Sequence, residues 1–198
     1  MHKIYSSLII TLCGLALANC GKKQGDATLP SFTKADSVTE MYLALQDSML
    51  QTWNVMINDD NQKLKAMHNL LHELSITHPQ EAEKFEIFEQ RLDQLARSRY
   101  TQKSMSNTDV VEEYDFASNA LVVELIADAE SKPQFAYNTT LQRLVDQILR
   151  AERRINNYRM EYDNIVYTYN EFIDQNKNYL TEADQTLEKK PVFEMVSE

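Results

Sequence analysis

The chain of 198 residues is almost without glycine and cysteine. Its three glycines (Gly14, Gly21, Gly25) and two cysteines (Cys13, Cys20) fall in the first 25 positions, so the 173 residues from Asp26 onward hold neither. Phosphate-cradling loops and dinucleotide fingerprints need glycine where backbone approaches a ligand or takes positive φ, and this stretch cannot build them. Disulfides, thiol nucleophiles and cysteine-based zinc sites have no residues to be made from. Tight β-turns lean on glycine too, which argues against a sheet. Basic residues are also scarce: 20 Lys and Arg stand against 30 Asp and Glu, a formal charge of −10. Nucleic acid is therefore excluded as a partner, because phosphate backbones are held by Lys and Arg.

What is present begins with Lys3 and an apolar run from Ile4 to Ala18, interrupted by Ser6, Ser7, Thr11 and Gly14. This has the charge and length of a secretory leader and is short for a membrane span. It ends in Leu17-Ala18-Asn19-Cys20, which resembles the lipobox of bacterial lipoprotein signal peptides, where the cysteine is lipidated. The expected organisation is a signal peptide over 1–19, then lipidated Cys20 and a flexible tether to residue 35. That tether is small, polar and proline-containing, with a contour of at most roughly 50 Å. Loss of 1–19 removes Lys3 alone and takes the charge from −10 to −11. About three acyl chains on Cys20 exceed the two signals that stable anchoring needs, so the membrane is the first expected partner. The bulk is expected outside the cytoplasm. Gly21 rather than Asp after the cysteine points, by analogy with enterobacterial sorting, to the outer membrane.

The rest is punctuated by Pro79, Pro133 and the polar run 104–108, and between these breaks apolar residues recur every three or four positions. Four helical segments are predicted: 36–77, 80–101, 108–131 and 134–178, followed by a tail over 179–198. The two prolines are placed at helix starts, and Thr108 or Asp109 at an N-cap. Met41, Met49, Met56 and Met67 are read as core fillers. No segment alternates with period two. The predicted fold is all-α, an elongated up-and-down four-helix bundle with long first and last helices, the last roughly 67 Å at 1.5 Å per residue.

Polar residues interrupt the last helix where packing does not ask for them. Glu152 and Arg159 share a seven-residue lane with Val145, Val166 and Ile173. Two turns apart, they are expected to find partners on neighbouring helices, as salt bridges or a register-setting layer. Asn164, Tyr169 and Asn170 are candidates for a polar network with Arg159. Arg150, Arg153 and Arg154 are read as a solvated face paired within the helix. Tyr158, Tyr162 and Tyr169 belong to the buried stripe, and Tyr167 falls off it, free for a partner. His68 and His72, four apart with Glu73 and His78 beyond, have the spacing of a metal pair but no third ligand. Asn138-Thr139-Thr140 has the form of a glycosylation signal. No catalytic arrangement is legible, and no cofactor or metal is assigned.

Several runs together carry a family resemblance. Glu130-Ser131-Lys132-Pro133, Glu152-Arg153-Arg154-Ile155, Tyr162-Asp163, Val166 and Tyr169-Asn170 resemble the C-terminal half of the LemA family. That family shows an acidic-Ser-Tyr-Pro start, a Glu-Asn-Arg-Ile element and two Tyr-Asn pairs about a valine. Trp53 and Asn69-Leu70 match its upstream Trp and Pro-Asn-Leu elements, and Pro191-Val192-Phe193-Glu194 its aromatic-acid ending. Here Arg153 and Asp163 replace family asparagines, His68 replaces a proline, and Asn176-Lys177 stand where Phe-Pro ends the last helix. The resemblance implies a four-helix bundle anchored at its N-terminus and projecting outside the cytoplasm. It marks Trp53, Asn69, Glu152, Arg154, Arg159, Tyr162, Tyr169 and Asn170 as structural or interaction residues, and it implies no reaction. The expected role is a membrane-anchored, non-enzymatic scaffold that binds a protein partner or itself. The alternative is a metal-binding or enzymatic bundle using Glu152/Arg159 or His68/His72.

Overall fold

The computed structural model describes residues 32–193; the leader, Cys20 and the tether as far as residue 31 lie outside the described residues, as does Glu194. One compact unit begins at Lys34. Its helices are α1 (Lys34–Thr77), α2 (Ala82–Ser98), α3 (Thr108–Glu130), α4 (Thr139–Gln175) and the short α5 (Lys177–Glu182). No strand occurs among the described residues, and no helix there is long and apolar enough to cross a membrane.

The pairing of α1 with α4 dominates the packing. At 44 residues, α1 runs about 66 Å. The two helices are antiparallel: Asn138 at the start of α4 donates to Glu73 near the end of α1, and the Tyr169 ring lies 5.7 Å from that of Tyr42 near its start. The shorter α2 and α3 cover only the second half of α1. Over that half the four helices alternate in direction, giving the all-α bundle the sequence predicts. Alongside the first half of α1 the third and fourth positions are taken by α5 and by residues 183–193. The core follows the heptad lane Met49, Trp53, Met56, Leu64, Met67, Leu70, Leu71 and Leu74 of α1 against Leu141, Leu144, Ile148, Ile155, Tyr162, Val166 and Tyr169 of α4, all buried. Met41 is exposed, so only three of the four methionines read as core fillers reach the interior.

Element ends differ from expectation for local reasons. Pro133 does not open the last helix. Asn138 does, because its side-chain oxygen accepts from the N–H groups of Thr140 and Leu141 and leaves 131–138 as a run of turns. The Asn-Thr-Thr run is thus a helix cap. Asn107 likewise caps α3 by accepting from Asp109 N–H, one position before the expected cap. Pro79 opens a single 3-10 turn. The last long helix stops at Gln175, where Asn176 breaks it before α5. Beyond α5 the chain turns at Asp184, φ 55°, the one described residue in the left-handed region. Without glycine in the body, the turn falls to a residue type whose short polar side chain tolerates it.

Candidate functional site

Charged residues sit inside the heptad lane itself. On α1 the lane Met49, Trp53, Met56 continues through Asp60 and Lys63 to Met67, and on α4 Glu152 and Arg159 occupy equivalent places. Asp60, Lys63 and Arg159 are buried, as is Asp59 beside the lane. Such groups persist in an interior only when paired, and α3 and the 99–107 loop supply the missing partners.

Arg159 donates from Nη1 and Nη2 to the two carboxylate oxygens of Asp115 on α3, each 2.6 Å, and from Nη2 to the Tyr100 hydroxyl at 2.6 Å. Its guanidinium lies over the rings of Phe193 (5.0 Å) and Tyr100 (5.4 Å). Burial alone would lower the guanidinium pKa, but Asp115 and Tyr100 hold it above its ordinary value. Its Nε has no hydrogen-bond partner among the described residues. The Tyr114 hydroxyl donates to Asp60 at 2.7 Å, and Arg99 donates to the same oxygen at 3.1 Å. Lys63 completes the layer. It donates to Ser118 at 2.8 Å and lies 3.2 Å from Asp60 and 3.1 Å from Glu152, the last an ion pair without hydrogen-bond alignment. Arg154 closes the α4 side with a two-pronged bond to Asp59, 2.7 and 3.0 Å.

An aromatic box adjoins this layer. Phe193 stacks on Trp53, centroids 6.1 Å and planes 9° apart, with Tyr100 and Tyr162 edge-on to it at 5.7 and 5.6 Å. Burial pushes the phenols of Tyr100 and Tyr162 up to about 12. Burial first, then the Asp60 charge, raises Tyr114 further. At neutral pH all three are therefore uncharged hydrogen-bonding groups. Phe193 is held by its own N–H, which donates to Asp163 at 2.8 Å. Upstream, Asn170 and Lys190 exchange two bonds of 2.9 Å, a side-chain amide imitating a strand pairing, and Tyr42 donates to the Thr186 carbonyl at 2.7 Å.

Of the residues marked from sequence, the junction brings together Trp53, Glu152, Arg154, Arg159 and Tyr162. Tyr169 and Asn170 bind Glu188 and Lys190 instead, so the expected network of Asn164, Tyr169 and Asn170 with Arg159 does not form; Arg159 turns to α3, and Asn164 is exposed. The arginine cluster is not one solvated face: Arg150 pairs within α4 with Asp146, as read, but Arg154 crosses to α1. Asn69 is exposed and lines, with Arg154, a cleft of about 460 Å³ whose other cations are Lys65, Arg143 and Arg150. His72 is exposed, and His68 bonds Glu89 of α2 rather than sharing a ligand with His72. Neither histidine joins Glu152 or Arg159. Tyr167 is exposed, as expected. Asp59, Asp60, Lys63, Tyr100 and Asp115 were missed, although Asp60 and Lys63 interrupt an otherwise apolar lane and signal buried charge by that alone.

The outer face of α3 is apolar as well. Phe116, Ala120, Val123 and Ala127 recur at four, three and four residues and form a stripe on the side away from the core, with Phe116 and Val123 exposed. Asp109, Glu112, Glu113 and Glu130 lie at its ends.

No curated protein and no solved structure gives a match to this chain. The sequence model of the LemA family matches residues 62–198, which take in Lys63, Tyr100, Tyr114, Asp115, Glu152, Arg154, Arg159, Tyr162 and Phe193 of the junction. With more than two thirds of its length matched, the chain belongs to the LemA family.

Proposed function

We propose that this protein is a lipid-anchored envelope scaffold, held to a membrane through Cys20 and binding a protein partner on the outer face of α3. The observation that carries the reading is the stripe Phe116–Ala120–Val123–Ala127, an apolar helix face on a chain of charge −10. Exposed apolar surface of this kind is what protein contacts bury. The acids at both ends of the stripe oppose a second copy, which would bring like charges together, and favour a partner helix whose apolar face is flanked by Lys and Arg. The leader and Leu17-Ala18-Asn19-Cys20 support anchoring and a bulk outside the cytoplasm, and Gly21 supports the outer rather than the inner membrane. A non-enzymatic role is supported by the junction, where the charged groups are engaged with one another.

The test places a photo-crosslinker at Phe116, at Val123 and, as control, at Gln147 on α4, in cells carrying the native chain or Cys20→Ser. One adduct of defined mass from Phe116 and Val123, absent from Gln147 and lost with Cys20→Ser, is the expected result. Equal adducts from all three positions, or none, would overturn the docking face. An adduct that survives Cys20→Ser would separate binding from anchoring. An adduct at twice the chain mass would assign the face to self-association.

A further inference from the structure

Away from the junction, α1 and α2 set three metal-donor groups side by side. One ring nitrogen of His68 and one carboxylate oxygen from each of Glu89 and Asp93 lie within 4.8 Å of one another. Glu89 and Asp93 are four apart on α2, so they project from one face a turn apart. His68 comes from α1, and the antiparallel packing sets its Nδ1 2.6 Å from Glu89 Oε1. We infer that His68, Glu89 and Asp93 form a divalent-cation site bridging α1 and α2, which takes a zinc-class first-row ion.

The donor set gives the class. Calcium and magnesium prefer sites made wholly of oxygen, whereas an imidazole with carboxylates suits zinc and its first-row neighbours. Three protein ligands leave one position for water or an incoming group. Bonds of about 2.1 Å around a tetrahedral ion put donors roughly 3.4 Å apart. The present donor separations, from 2.6 Å to within 4.8 Å, bracket that value. Nothing blocks entry, since the side chains of His68 and Glu89 are 35 and 47% exposed. Charge points the same way. Asp93 makes no hydrogen bond or ion pair among the described residues, and Glu89 has only His68. Two carboxylates thus lie close together with one imidazole bonded to Glu89 alone, on a strongly acidic chain, an arrangement that a cation relieves. Sequence alone offered His72 as the second ligand. The fold supplies two carboxylates from α2 in its place, which no spacing within α1 could show.

The full chain, purified in detergent and stripped with chelator, is titrated with zinc chloride by calorimetry, with zinc counted by elemental analysis after dialysis. The expected result is one ion per chain. Asp93→Asn should weaken binding about tenfold or more, with an unchanged far-ultraviolet spectrum and urea midpoint, because Asp93 has no partner to lose when the metal is absent. His68→Gln should abolish binding, and His72→Ala should leave it unaltered. Failure to bind at a tenfold excess of zinc would overturn the site, as would affinity that persists in Asp93→Asn and His68→Gln. Equal affinity for calcium would overturn the ion class. A loss with His72→Ala equal to that with Asp93→Asn would return the ligands to α1.

Discussion

Arg159 and Asp115 bind each other through two bonds of 2.6 Å, yet their surroundings are unequal. The Arg159 side chain is 7% exposed and that of Asp115 38%. Asp115→Ala strands a guanidinium in the interior, with the Tyr100 hydroxyl and two ring faces for company. Breaking a buried pair from one side costs roughly 3–5 kcal/mol, and partial access of water at the Asp115 end places this case near the lower figure, about 3 kcal/mol. Arg159→Met keeps the volume of the stem and frees Asp115 to hydrate. Tyr100 loses one donor, and the expected cost is about 1 kcal/mol. The difference of about 2 kcal/mol is roughly a thirty-fold change in the folding equilibrium. The double variant should resemble Arg159→Met alone, since no buried charge is left to strand. Urea unfolding followed by Trp53 emission measures all three, because the chain has one tryptophan and it lies in the adjoining box. Equal costs, or a larger cost for Arg159→Met, would refute the account of the junction as charge held by α3.

Three further outcomes follow from the same geometry. Phe193→Ala removes the ring stacked on Trp53 and should cost about 2 kcal/mol for a part-buried ring, with a red shift of Trp53 emission; an unshifted spectrum would place Phe193 elsewhere in solution. Asn170→Ala breaks both bonds to Lys190 at about 1–2 kcal/mol, so native-state trypsin cleavage after Lys189 should speed several-fold (Lys190 precedes Pro191 and is not a site), and unchanged cleavage would deny those bonds a holding role. Tyr100 and Tyr162 titrate near 12 when folded and near 10 when unfolded. The neutral phenols therefore stabilise the fold fully below pH 10, and that contribution is lost between pH 10 and 12 at about 1.4 kcal/mol per pH unit for each tyrosine. Phenolate absorbance in the folded protein that rises wholly near pH 10 would contradict their burial.

The helices were legible because their signal is local. The three- and four-residue recurrence of Leu64, Met67, Leu70, Leu71 and Leu74 fixes a buried face whatever lies opposite. Element ends were less so: Asn138 and Pro133 both offer a start, and the choice rests on two backbone N–H groups needing one side-chain oxygen. For the site, the α4 half was readable, and of the other half only the break in the α1 lane at Asp60 and Lys63 carries a signal. Glu152 and Arg159 stand out within their own helix, whereas Lys63 and Asp115 become their partners only through tertiary packing. The span 179–198 reads as a tail because its apolar residues Leu187, Val192 and Phe193 show no helical period. Its carbonyls and N–H groups bond to Tyr42, Asn170 and Asp163, so it needs no helix to be ordered.

That segment bears on the order in which the molecule can be finished. Tyr42 and the Thr186 carbonyl it holds are 144 residues apart. During synthesis the first half of α1 waits for nearly the whole body to emerge before its last covering arrives. Until then Trp53 lacks its stacking ring and Arg159 one of its two aromatic faces. A chain that ends before residue 183 holds all of α1 to α4 but lacks the segment that caps Tyr42, Trp53 and Tyr169. Residues 183–193 are thus the last part of the bundle to be made, and they close it over residues from both long helices.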